Sequence, residues 1–163
     1  RIDVHNLVNN TYPIPLYTIT KEFIFSKKET MNDRPNDFLR IRPEIKKTVV
    51  FANMSMEERF QNETLRPILK LQNSLLLLVF GTYIKKRKGV FYSLNLEKRL
   101  AYIEDSLTKD QKFRNSMEGM VIGLFTVKEY NQYTLNSSAL NKRMTQMIIE
   151  RLKDQVQLFE VQL

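Results

Sequence analysis

Apolar residues recur every three or four positions over most of the chain after residue 53, a spacing typical of amphipathic helices. The clearest stripe consists of Leu96, Leu100, Ile103 and Leu107, at i, i+4, i+7 and i+11. A second stripe follows the last predicted helix and comprises Leu140, Met144, Met147, Ile148, Leu152, Gln155 and Phe159. The pattern predicts an all-α fold with four or five helices, and their short connections favour an antiparallel bundle.

Capping residues indicate where these helices begin. Three segments have the capping-box pattern, in which Ser or Thr is followed three positions later by Glu or Gln: Ser55 with Glu58, Thr108 with Gln111, and Thr126 with Glu129. Pro67 lies inside the first predicted helix. It predicts either a kink or the first turn of a new helix that starts near Thr64, because proline lacks the N–H that a helix interior uses.

Residues 1–52 differ from the rest because they hold four of the five prolines, which are Pro13, Pro15, Pro35 and Pro43. This segment predicts an extended arm that is partly disordered or not native to the domain, and residues 53–163 are predicted as the helical bundle. Strand-like residues at 17–25 allow a β-hairpin within the arm, and residues 31–42 are interpreted as a polar linker. Met31 is either a natural start, with residues 1–30 added upstream, or an ordinary internal methionine.

Composition excludes several chemistries. The 163 residues include no cysteine and a single histidine, His5, so that disulfides, thiolate nucleophiles and multi-histidine metal sites are excluded within one chain. No glycine-rich phosphate loop occurs, and we expect neither a metal nor another cofactor. The longest apolar run, residues 75–80 (LLLLVF), is far shorter than the roughly 20 residues of a membrane span. With no signal-peptide pattern, the expected location is cytoplasmic.

The net charge of +8 draws attention to a basic run at the end of the first helical region. This run could contact nucleic acid or another polyanion, extended in space by basic pairs elsewhere; the candidates are Lys85, Lys86, Arg87, Lys88, Lys98, Arg99, Lys142 and Arg143. The alternative is a solvated helix end whose cations offset the helix dipole.

Four polar residues form a second candidate set. They are Arg66, Gln72, Asn73 and Arg114, and they either line a site or form a polar network between helices. Gly119 and Gly123 lie four positions apart on a predicted helix, a spacing that favours close packing against another helix.

Two stretches carry a resemblance to known proteins. Residues 58–73 (ERFQNETLRPILKLQN), together with residues 96–104, 113–115 and 119–123, resemble a group of short, uncharacterised bacterial proteins that are often automatically labelled "glyoxalase". The resemblance covers about residues 54–160 and implies a bacterial helical protein. Its label implies a glyoxalase-type lyase, although no metal ligand can be carried over residue by residue.

Three functions follow from these patterns. The leading interpretation is a non-enzymatic interaction or oligomerisation module, because residues 75–80 are apolar on every helix face and exceed what one small bundle can bury. Self-association through this helix is therefore predicted. The alternatives are nucleic-acid or polyanion binding through the basic residues and the lyase activity that the resemblance implies.

Overall fold

The structure, a computed structural model, describes residues 33–45 and 54–159. The described residues all belong to one compact unit, which begins at Asp33. Within the described ranges there are seven α-helices and no strand, which confirms the predicted all-α fold. The helices are α1 (Arg34–Ile41), α2 (Met56–Leu71), α3 (Asn73–Lys86), α4 (Leu96–Thr108), α5 (Gln111–Ile122), α6 (Val127–Leu135) and α7 (Ser137–Asp154). The predicted hairpin at residues 17–25 lies outside the described residues.

Helix α1 replaces the predicted linker at residues 31–42, so that prediction is wrong for its described part. Pro35 occupies the first turn, where its missing N–H needs no acceptor within the helix. Helix α1 buries no side chain, and arginine hydrogen bonds attach it to the bundle instead. Arg34 donates from Nη1 to the carbonyl of Phe125 (2.8 Å) and from Nη2 to that of Gly123 (2.9 Å).

Helix α2 changes its winding before Pro67. It begins as an α-helix, passes through a π-helical turn at Gln61–Leu65, and continues as an α-helix from Arg66 to Leu71. Pro67 lies in the first turn of that last segment, but the backbone stays helical from Gln61 to Arg66, so the predicted start of a new helix near Thr64 is wrong and a π-helical turn precedes the proline instead. The sharp bend comes later: α2 and α3 meet at 63° around Gln72.

Two of the three predicted capping boxes form with both hydrogen bonds, at Ser55 with Glu58 and at Thr126 with Glu129. The box predicted at Thr108 is wrong, because Thr108 is the last residue of α4 and its hydroxyl donates to the carbonyl of Glu104. Asp110 caps α5 instead and accepts from the backbone N–H of Phe113. A carboxylate two residues nearer the helix provides the better acceptor for this orphan donor.

One hydrophobic core joins the helices from α2 to α7. Phe80 of α3 is fully buried, and its ring lies 4.9 Å from that of Phe159, 5.9 Å from Phe91 and 6.3 Å from Phe113. Apolar side chains from α2, α4, α5 and α7 surround this aromatic group. The core positions α3 between the other helices, with one side buried and the other facing outward.

The Gly119 and Gly123 pair does not mediate close helix packing. Both residues are exposed, and a side chain added at Gly119 would meet nothing within 4 Å. The Gly123 carbonyl instead helps to attach α1, because it accepts a hydrogen bond from Arg34. The expectation of a packed glycine face is therefore wrong.

Candidate functional site

The outward side of α3 carries exposed leucines. Leu76 and Phe80 are buried, whereas Leu75 is 42% exposed and Leu78 is 68% exposed. The exposed positions Ser74, Leu75, Leu78 and Thr82 follow one another at helical spacing, and we call them the α3 face. The apolar run at residues 75–80 therefore exceeds what this bundle buries.

The α3 face is uncharged, unlike the outer sides of the other long helices. The exposed positions of α4 include Glu97, Lys98, Glu104 and Asp105, and those of α7 include Lys142, Glu150 and Asp154. Along α3, charge appears only beyond Thr82, at the exposed residues Lys85 and Lys86. This exposed face of about two and a half helical turns carries two leucines and no charge, which makes it a candidate contact surface.

Small residues leave room for a helix to approach this face. Gly81 lies beside Thr82 in the sequence, and a Cβ added there would meet nothing within 4 Å. Leu71, the last residue of α2, is also partly exposed and precedes Leu75 by four positions. The bend between the two helices is fixed by Gln72, whose Nε2 donates to the carbonyl of Met120 on α5 (3.2 Å).

The four predicted polar residues do not meet in a single site. Gln72 makes the contact with α5 just described, whereas Arg114 donates from Nη1 to the carbonyls of Leu107 and Thr108, at the C-terminal end of α4. Asn73 bonds to side chains of α7 and the chain that follows it, and Arg66 is exposed and lines a groove beside α7. Three of the four therefore hold helices together.

The basic run at the end of α3 is exposed, and one member is fixed in place. The Arg87 guanidinium contacts the Asp110 carboxylate (2.5 Å) and lies over the Tyr83 ring, 4.9 Å from its centre. Lys88 and Gly89 both have positive φ and end the helix. The cations near the C-terminal end of α3 offset its dipole, as the alternative interpretation expects.

The other basic candidates are distributed over several helices. Arg99 packs over the Phe91 ring and donates to the carbonyls of Tyr92 and Leu94, so it supports the turn that precedes α4. Neighbouring Lys98 is exposed. Arg143 of α7 donates to the Gln61 side chain on α2.

Arg143 and its exposed neighbour Lys142 lie on α7, and no hydrogen bond joins them to the basic run among the described residues. Along the axis of α7, Arg143 lies about 16 Å before Asp154, the last residue of the helix. Phe159, just beyond that end, packs against Phe80, near the basic run. Lys142 and Arg143 therefore lie about three or more turns before the end of α7 that leads to Phe159.

A tyrosine-lined cavity lies next to the basic run. Its volume is about 590 Å³, and its walls include two tyrosines, three cations and two carboxylates, namely Tyr83, Tyr102, Arg87, Lys109, Lys112, Asp105 and Asp110. Asp110 pairs with Arg87 and Asp105 pairs with Lys109. Burial raises the pKa of both tyrosines above the ordinary value, so their hydroxyls stay protonated at neutral pH. The Tyr83 hydroxyl donates to Asp110 at 3.2 Å.

A buried ion pair joins α1 to α6, and sequence reasoning missed it. The Glu129 carboxylate accepts from Arg42 Nη1 (2.5 Å) and Nη2 (2.9 Å), from the backbone N–H of Thr126 (2.7 Å) and from the Thr64 hydroxyl (3.0 Å). Burial raises the pKa of Glu129, but the Arg42 and Thr126 hydrogen bonds outweigh it and leave the pKa below the ordinary value. The Thr126 capping box was the one sequence signal that pointed to Glu129.

Neither a metal centre nor a membrane-spanning helix occurs in the part of the chain that the structure describes. No group of three or more His, Asp or Glu side chains there could hold a metal ion, and His5 lies outside it. No single described helix is long and apolar enough to cross a bilayer. Helices α2 and α3 reach that length and composition only when taken together, across their 63° bend.

The chain matches no protein-family model, and comparisons with curated proteins and with solved structures gave no significant match. The resemblance to proteins labelled "glyoxalase" stays a prediction.

Proposed function

We propose that this protein is a non-enzymatic interaction module that forms weak, reversible homodimers through the α3 face. The observation that supports the proposal is the exposure of Leu75 and Leu78 on a face without charge. A second copy is the partner that such a face fits, because an isologous contact between two uncharged faces requires no charge complementarity. Ser74 and Thr82 are small enough to let the leucines of a facing helix approach.

The expected affinity follows from the leucine surface. Complete burial of a leucine stabilises by about 1.5–3 kcal/mol, so the exposed fractions of Leu75 and Leu78 correspond to about 2 kcal/mol per copy. A two-fold contact doubles this to about 4–5 kcal/mol, which offsets only the low end of the roughly 4–15 kcal/mol cost of association. A dissociation constant on the order of 100 µM corresponds to about −5.5 kcal/mol, so the rest of the contact must contribute at least about 5 kcal/mol beyond the four leucines.

Sedimentation velocity from low to high micromolar concentration tests this proposal. The wild type should sediment faster as its concentration rises, and Leu78→Gln should remove that dependence. Leu96→Gln is the matched control, because Leu96 is exposed to a similar extent (61%) but lies at the start of α4. A wild type that stays monomeric at high micromolar concentration would refute the proposal, as would equal effects of the two variants.

Polyanion binding is a second candidate, which the tyrosine-lined cavity favours. Lys86 and Lys88 are exposed beside a cavity that contains Arg87, Tyr83 and Tyr102. Aromatic rings next to cations suit single-stranded nucleic acid, because bases stack on rings while phosphates contact the cations. Binding of a fluorescent oligonucleotide should weaken with salt and with the double substitution Lys86→Gln/Lys88→Gln. Absence of binding at low salt would exclude this function.

A further inference from the structure

A groove with charges of both signs runs between α2 and α7. Its volume is about 480 Å³, and none of the α3-face residues lines it, so the groove and the α3 face share no residue. Arg66 and Lys70, one helical turn apart on α2, contribute cations. Glu150 and Asp154, one turn apart on α7, contribute carboxylates. The groove is large enough for a small organic molecule.

Arg151 is held rigidly within this groove. Its Nη1 donates to Asn73 Oδ1 (3.0 Å), and the same oxygen accepts from Gln155 Nε2 (2.9 Å). The Nε of Arg151 is buried and has no acceptor in the described part of the chain. A buried donor without a partner is costly, but this Nε is closed to solvent, so a ligand in the groove would contact the guanidinium through its Nη groups.

The opposite charges in the groove are not joined to each other. No ion pair within 4.0 Å connects Arg66, Lys70 or Arg151 to Glu150 or Asp154 among the described residues. Lys70 instead donates to the backbone carbonyl of Glu44, at 3.2 Å. The groove therefore presents cationic and anionic groups that are not paired with each other among the described residues.

We infer that this groove binds a small zwitterion that carries a phosphate monoester at one end and a protonated amine at the other. The phosphate faces Arg66, Lys70 and Arg151, since guanidinium groups match phosphate oxygens geometrically. The ammonium faces Glu150 and Asp154. Three cations and two carboxylates leave one excess positive charge, which the charge of about −1.5 to −2 on a phosphate monoester together with one ammonium neutralises.

Titration of the isotopically labelled full chain with O-phosphoethanolamine tests the inference by NMR. Saturable shifts should appear for Arg151 and its neighbours, and inorganic phosphate and ethanolamine should each bind more weakly. The exposed residues Arg66 and Lys70 can be changed without removing a helix contact, so Arg66→Gln/Lys70→Gln is the main variant. Its affinity should fall at least about tenfold, the effect of losing a charge-assisted hydrogen bond.

A second variant separates the two ends of the ligand. Glu150→Gln should weaken O-phosphoethanolamine while leaving inorganic phosphate unchanged. The control is Lys142→Gln, which removes one exposed cation from the same helix outside the groove and should change neither affinity. Equal losses in Lys142→Gln and Arg66→Gln/Lys70→Gln would indicate a general charge effect and overturn the inference.

Lipid vesicles distinguish a lipid headgroup from a free small molecule as the source of the ligand. Phosphatidylethanolamine joins the same ammonium to a phosphodiester of charge −1, so flotation with its vesicles, sensitive to Arg66→Gln/Lys70→Gln, would overturn the requirement for a monoester, whereas binding of the free compound alone would support it. Absence of saturable shifts with O-phosphoethanolamine, together with no vesicle binding, would refute the inference. These outcomes are independent of dimerisation, which sedimentation measures separately.

Discussion

Glu129→Gln should destabilise the protein strongly, because it leaves the Arg42 charge buried without a carboxylate. In the wild-type pair, 5% of the Arg42 side chain and 12% of the Glu129 side chain is exposed. Removing one partner of a buried ion pair typically costs about 3–5 kcal/mol. Glutamine keeps one oxygen that can accept from the Thr126 N–H, so we expect a loss of about 3 kcal/mol in the free energy of unfolding.

Urea unfolding of the full chain at pH 7 measures this loss. The matched control is Asp37→Asn, which breaks an ion pair with Arg40 in the same N-terminal helix, where the two side chains are 50% and 78% exposed. An exposed pair of this kind contributes about 0–1 kcal/mol, so the control should be nearly neutral. A loss below about 1 kcal/mol for Glu129→Gln, equal to that of the control, would refute the assignment of Arg42 and Glu129 as a buried, stabilising pair.

The same substitution predicts a pH dependence. The folded-state pKa of Glu129 is below its ordinary value, so its contribution is present above the unfolded pKa of about 4.3 and is lost as pH falls through the folded pKa. The stability of the wild type should therefore approach that of Glu129→Gln progressively as pH falls from the unfolded pKa of about 4.3 through the lower folded pKa. A difference between the two that stays constant from pH 7 to pH 3 would contradict the ion-pair explanation.

Further predictions concern the tyrosines and the end of α3. Burial raises the pKa of Tyr83 and Tyr102. Their contribution to stability is therefore present below the unfolded pKa of about 10 and is lost as pH rises through the folded pKa. Ultraviolet titration should show a late-ionising component that Tyr83→Phe reduces, and a titration curve that this substitution leaves unchanged would contradict the prediction. Gly89 has φ of +65°, and an added Cβ would lie 3.2 Å from a ring carbon of Tyr92. Gly89→Ala should therefore lower the free energy of unfolding by about 1–2 kcal/mol in urea, whereas Gly119→Ala, which meets no atom within 4 Å, should be neutral or stabilising.

The sequence predicts those features that depend on nearby residues. The Leu96 to Leu107 stripe anticipates α4, and the boxes at Ser55 and Thr126 anticipate the starts of α2 and α6, since these patterns arise within one or two turns. Contacts between residues that are far apart in the sequence cannot be predicted in this way. Arg42 and Glu129 are 87 positions apart, and no local pattern relates an arginine before a proline to the first turn of a distant helix.

The candidate sites show the same limit. Arg66 could be selected from the sequence as a polar residue beside a proline, but its neighbour across the groove, Arg151, could not, because only packing of α2 against α7 brings them to one groove. The apolar run at residues 75–80 predicted surplus hydrophobic surface. Which leucines remain outside was decided by the position of Phe80 in the aromatic core, which turns Leu75 and Leu78 outward.

The most direct test of dimerisation through the α3 face uses the absence of cysteine from the chain. A single cysteine placed at Leu78, on an otherwise thiol-free protein, should form an intermolecular disulfide under mild oxidation at high micromolar concentration. The rate should fall on dilution and should far exceed that of a cysteine at the equally exposed Leu96. Equal cross-linking rates at the two positions would contradict dimerisation through the α3 face.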